Sequence, residues 1–159
     1  MVKKLILFGL FLYSTLFLSG CQLLSDFVIV NDSSDYIEII YEVKDPGYKS
    51  LTPLYITSKE FNNNEDNWQT VPQERYETVD TGTVKVKLAP NEVLRIEYVN
   101  VNRFEKNPDK EFNTKSLRIT DKNSSIYLEG KQVLEQFKPE DRSWALISSP
   151  TYVFRYGEK

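Results

Sequence analysis

The sequence predicts an all-β domain, an antiparallel sandwich with one short helix near its C-terminus. Three observations carry this. Apolar residues recur at every second position in several short runs, turn-forming residues stand between those runs, and helical spacing is evident in one late segment. The runs are uneven in length and spacing, which favours an open sandwich over a closed barrel.

Taken in order, Phe27 to Val30 is a continuous apolar run. It reads as a first strand buried on both faces or starting at an edge. Ile37, Ile39, Tyr41 and Val43 alternate with Glu38, Ile40 and Glu42, so one face meets a core and the other meets water. Leu51–Thr57 and Arg75–Val79 are weaker strand candidates around the polar loop Phe61–Trp68. Val84, Val86 and Leu88 alternate with two lysines, and Leu94, Ile96 and Tyr98 with Arg95 and Glu97. Leu117–Thr120, Ile126–Glu129 and Tyr152–Tyr156 complete the set, with Tyr41, Tyr98, Tyr152, Phe154 and Tyr156 expected in the core. The segments 31–35 (NDSSD), 89–92 (APNE) and 120–125 (TDKNSS) read as hairpin turns, with Pro90 suited to a turn's second position. In KQVLEQFK (131–138), Val133, Leu134 and Phe137 fall at helical spacing, after Gly130 and before a terminating Pro139. The whole reads as one immunoglobulin-like sandwich over residues 27–159, with no second domain and no fixed repeat.

The N-terminus follows other rules. Lys3 and Lys4 precede an apolar run from Leu5 to Leu18, broken only by Gly9, Ser14 and Thr15. A basic start and a short apolar stretch make the layout of a secretory signal. The run is shorter than the roughly 20 residues a bilayer span requires. Leu18-Ser19-Gly20-Cys21 then resembles the lipobox of bacterial lipoproteins. The resemblance covers residues 1–21 and implies a signal helix cleaved before Cys21, a diacylglycerol thioether on the Cys21 sulfur and a further acyl chain on the new amino group. Two or three acyl chains hold a protein stably at a membrane, since each buried methylene contributes about 0.8 kcal/mol. Gln22 follows the cysteine, where an Asp in Gram-negative lipoproteins favours the inner membrane. The expected location is therefore the outer membrane in a Gram-negative cell and otherwise the outer face of the plasma membrane. Residues 21–26 form a short tether that keeps the domain near the lipid surface.

Loss of residues 1–20 removes Lys3 and Lys4 and no acid, which takes the net charge from −3 to −5. An acidic chain without a basic block is a poor nucleic-acid partner. Cys21 is the only cysteine, so its acylation leaves no thiol for a disulfide. The chain has no His, which removes the commonest general base and metal ligand. No metal or other cofactor is expected, and no enzymatic activity.

Three constellations test that expectation. Counted from Asn62, a calcium loop would use Asn62, Asn64 and Asp66, but Asn67 stands at the glycine position and Gln73 at the terminal glutamate position. Glu65-Asp66 and Glu140-Asp141 are adjacent acids, and adjacency on a strand sends side chains to opposite faces. Phe61, Trp68 and Tyr76 lie in or beside the polar loop and form the candidate binding patch, against the alternative of packing under that loop. The expected function is a lipid-anchored envelope module that binds another envelope protein or serves a structural or accessory role. A carbohydrate- or peptidoglycan-binding module, or a weak glycan-active enzyme, is the alternative, and an inhibitor or immunity-type lipoprotein a further one.

Overall fold

The computed structural model describes residues 24–47, 53–58, 68–140 and 150–157. The signal segment 1–20, Cys21, Phe61, the Glu65-Asp66 pair and Asp141 lie outside them. The described strands are β1 (Leu24–Asn31), β2 (Ile37–Val43), β3 (Tyr55–Ser58), β4 (Gln69–Thr70), β5 (Tyr76–Thr78), β6 (Thr83–Leu88), β7 (Glu92–Asn100), β8 (Thr114–Thr120), β9 (Ser125–Glu129), β10 (Lys138–Glu140) and β11 (Thr151–Tyr156). Three short helices join them: α1 (Val101–Lys106), α2 (Pro108–Glu111) and α3 (Lys131–Gln136). Two sheets result, one of six strands in the order β10-β11-β1-β7-β3-β4 and one of five in the order β5-β6-β2-β8-β9. The fold is all-β and sandwich-like, as the alternating pattern predicts.

The core lies between the sheets. Phe27, Ile29 and Leu94 from the six-stranded sheet meet Ile37, Ile39, Tyr41, Val84, Val86, Leu88, Leu117 and Ile119 from the other. The inward positions of β2 and β6 are those the alternation gives. β1 is central, flanked by β11 and β7, and Phe27 to Val30 are fully buried on both faces. It starts at Leu24, before the expected Phe27, because Leu24, Ser25 and Asp26 pair with Asn100, Val99 and Tyr98.

Four expectations need correction. The first concerns turns. Of the three expected hairpin turns, the 120–125 turn alone closes a hairpin, between β8 and β9. The 31–35 turn carries the chain from β1 in one sheet to β2 in the other, and the 89–92 turn carries it from β6 back to β7. Both are arches across the core. They are stitched together by Asn31, whose buried side-chain amide donates to Asp35 O (2.8 Å) and Leu88 O (3.1 Å), while its backbone carbonyl accepts from Asn91 N (2.9 Å). Asn91 takes φ +60° beside Pro90, a conformation asparagine tolerates better than most residues.

The second correction is parallel pairing. β1 runs parallel to β11, Phe27 opposite Tyr152 and Ile29 opposite Phe154, so the six-stranded sheet is mixed. The third is the inward face of β7. Phe27 stands opposite Glu97 and Val28 opposite Arg95, so Ile96 is an extra residue in β7. Such a bulge shifts the alternation by one position. Beyond it Glu97 and Val99 point inward, and Tyr98, expected in the core, is 49% exposed.

The fourth correction concerns helices. α3 stands where KQVLEQFK places it, but Pro139 sits in the edge strand β10, a position proline tolerates. α1 and α2 show little helical period, since α1 has a single apolar i, i+3 pair, Val101 and Phe104, and α2 has no buried side chain. Their end signals are nonetheless present. The Asn100 side chain accepts from Arg103 N (3.2 Å) as an N-cap, and Pro108 opens α2. Together these helices bring Phe104 and Phe112 against Phe27, with ring centroids 5.2 and 4.8 Å away. Phe137 (5.4 Å) and Tyr152 (4.6 Å, stacked) complete a ring cluster that closes this end of the core.

Candidate functional site

Of the candidate patch, Trp68 and Tyr76 are described. Trp68 immediately precedes β4 at the edge of the six-stranded sheet and packs on the side of that sheet facing away from the core, against Val28, Val30, Val93 and Val153. The Arg95 guanidinium lies over its ring at 4.8 Å and over the Tyr55 ring at 4.6 Å, and it pairs with Asp26 at 3.4 Å. A cation held between two aromatic faces fixes both rings. Tyr76 is on β5, at the edge of the other sheet, and packs against the main core. The two aromatics therefore belong to different sheets and pack against different apolar clusters.

Several of the described acids are engaged in holding the fold. Glu140 receives two hydrogen bonds from the Arg155 guanidinium, 3.0 Å to Oε1 and 3.1 Å to Oε2, and a third Arg155 nitrogen reaches Asp32 at 3.0 Å. This ties β10, β11 and the β1–β2 arch together. Arg75 clasps Glu92 with both terminal nitrogens and also donates to Lys87 O at 2.9 Å. Burial alone would raise the Glu92 carboxyl, but the Arg75 guanidinium and the Ala89 N–H hold it below its usual value. Among the described residues, no three acidic groups come together in a way that could hold a metal ion.

The bulge in β7 creates a site that periodicity does not reveal. Glu97 is only 6% exposed, and its two oxygens each accept from Asn113 N at 2.9 Å. Thr114 Oγ1 lies 3.4 Å from Oε2. Asn113 in turn holds the end of β2: its side chain donates to Asp45 O (2.9 Å) and accepts from Asp45 N (3.0 Å). Burial, and then the Glu97 carboxylate, raise the Tyr41 phenol well above its usual range, so it stays protonated at any physiological pH. This cluster secures the α2–β8 junction. The sequence signal for it is a glutamate within an apolar-rich strand, which strict alternation assigns to water.

Two further features mark the end of the sandwich where β1 begins. A shallow cavity of about 140 Å³ is lined by Lys44, Asp109, Phe112, Gly130, Lys131 and Leu134, and Lys44 Nζ there donates to Asp109 O and Phe112 O, both at 2.8 Å. Leu24 and Tyr98 lie on the outer side of the six-stranded sheet at the strand ends, each 49% exposed, on the side that carries the buried valines. No family model matches the chain, and among curated proteins and solved structures none matches it either.

Proposed function

We propose that this chain is a bacterial lipoprotein, cleaved before Cys21, acylated on that residue and held at the cell envelope as a non-enzymatic binding, structural or accessory module. The observation that carries the reading is the ordered series of Lys3-Lys4, the apolar run and Leu18-Ser19-Gly20-Cys21. It is supported by the start of β1 at Leu24, which leaves only Gln22 and Leu23 between the acylated residue and the folded domain. The absence of histidine and the use of Glu92, Glu97 and Glu140 in structural hydrogen bonds support a non-enzymatic role. The immunoglobulin-like form of the sandwich belongs to the same proposal. Its support is the pair of arches that cross between the sheets, as Greek-key connections do. The proposal extends to an envelope protein partner contacted around residues 61–76, where Trp68 is part-exposed.

The test is Cys21→Ser. Labelled fatty acid enters the wild type and is absent from the variant, which leaves the membrane fraction. Equal labelling of the two proteins refutes the assignment, because no other residue in the chain offers a thiol.

A further inference from the structure

We infer that the domain rests on the lipid bilayer through Leu24 and Tyr98, with the α1–α2 end of the sandwich turned towards the headgroups. The inference rests on acylation at Cys21 and adds to it an orientation.

Four observations converge. Leu24 pairs with Asn100 and Asp26 with Tyr98, so Leu24 and Tyr98 are diagonal neighbours on one face of the six-stranded sheet. Both are half exposed, whereas Val28, Val30, Val93 and Val153 further along that face are at most 2% exposed. The exposed apolar pair is thus confined to the end from which the chain runs to the lipid. Leu24 is also three residues from Cys21, a reach of about 10 Å at full extension. A contact too weak to bind a free protein sets the orientation of one tethered this closely, because the tether holds the effective concentration high. Tyr suits the place, since its ring enters the headgroup layer while its hydroxyl stays wet. Finally, α1 and α2 follow directly from Asn100 and present Arg103, Lys106 and Lys110 against Glu105, Asp109 and Glu111. The two helices carry three charges of each sign, so they add no net attraction to anionic lipid.

A lone added cysteine reads the geometry, because Cys21 is the only cysteine and acylation consumes its thiol. Lipidated Asn102→Cys, Tyr36→Cys and Tyr127→Cys are each labelled with an environment-sensitive fluorophore and reconstituted in phosphatidylcholine vesicles containing a nitroxide lipid. Residue 102 lies on α1, Tyr36 at the opposite end of the sandwich and Tyr127 on the other sheet. Quenching at 102 is expected to exceed that at 36 and 127 by at least about threefold, as for a face buried in the headgroup boundary. Adding Leu24→Ser and Tyr98→Ser lowers quenching at 102 to the control level, with an unchanged thermal midpoint and unchanged flotation. Tyr98→Trp, which keeps a ring in place, retains it. Equal quenching at all three sites in protein that floats with vesicles overturns the orientation and leaves the anchor standing. Unchanged quenching at 102 in a folded double-serine variant overturns the role of Leu24 and Tyr98. Protein that carries no acyl mass and does not float overturns the anchor, and the orientation with it.

Discussion

On the outer side of the six-stranded sheet stand Val28, Val30, Val93 and Val153, none more than 2% exposed, with Trp68 packed over them. On the outer side of the five-stranded sheet one row runs Glu77, Lys85, Ile40, Arg118, Tyr127 across all five strands. Lys85 pairs with Glu38 at 2.7 Å, Lys115 with Glu42 at 2.6 Å, and Arg118 lies over the Tyr127 ring. The first face is a second, smaller core, and the second is a solvated lattice of charge. Both sheets turn one apolar face to the main core, so that core does not explain the difference. It lies in the strands themselves. β1 is apolar at consecutive positions and must be covered twice, whereas β2 alternates and needs covering once. A two-layer sandwich with one apolar outer face has a preferred side for further contacts, and Leu24 and Tyr98 are on that side.

The sharpest way to break the comparison is to place the same charge on both outer faces. Val28→Asp buries an unpaired carboxylate and is expected to cost more than about 4 kcal/mol, enough to abolish folding. Ile40→Asp, on the five-stranded sheet beside Lys85 and Arg118, is expected to cost less than about 1 kcal/mol. Urea unfolding of the two variants reads this directly, and equal losses mean that the two faces are alike.

A smaller effect tests the cover over the valines. Trp68→Ala removes a half-buried ring and the upper half of the Arg95 sandwich. It is expected to cost about 2 kcal/mol, below the range for a fully buried Trp. Tyr127→Ala removes a ring of the other face that is 54% exposed, and a change within about 1 kcal/mol is expected. Partner recovery from membranes sharpens the result. If Trp68 contacts a partner, recovery falls further in Trp68→Ala than the loss of folded protein explains. If it only covers the valines, the two fall together.

The smallest effect follows pH. Glu92 joins the β6–β7 arch to Arg75, and its carboxyl is held below the usual value of 4.5. A lowered native value means that the contribution is complete above 4.5 and fades as pH falls through the native one. Glu92→Gln is therefore expected to be the less stable protein at neutral pH, with the gap to wild type closing in acid. A gap that is constant from neutral pH to pH 3 would show that the clasp acts through shape and not through charge.

The sequence by itself determined most of the longer extended segments and which faces of β2 and β6 are buried, but not the short edge strands β4 and β10. Those properties depend on neighbours one or two residues away, and the side-chain period of a strand reports them directly. It likewise determined α3, through three apolar positions at helical spacing, and the lipobox resemblance, through four consecutive residues. Residue type and loop composition marked Trp68 and Tyr76 as candidates, but not that they belong to different sheets. Tertiary structure alone decided strand partners. A turn such as NDSSD has the same composition whether it closes a hairpin or arches across a core, and the choice is made by pairings such as Phe27 with Tyr152, 125 residues apart. It also decided phase. One extra residue at Ile96 costs little locally, yet it turns Glu97 inward and Tyr98 outward. That inversion is stable because Asn113, reached only after α1 and α2 fold back over the sandwich end, donates its backbone N–H to both oxygens of the buried carboxylate.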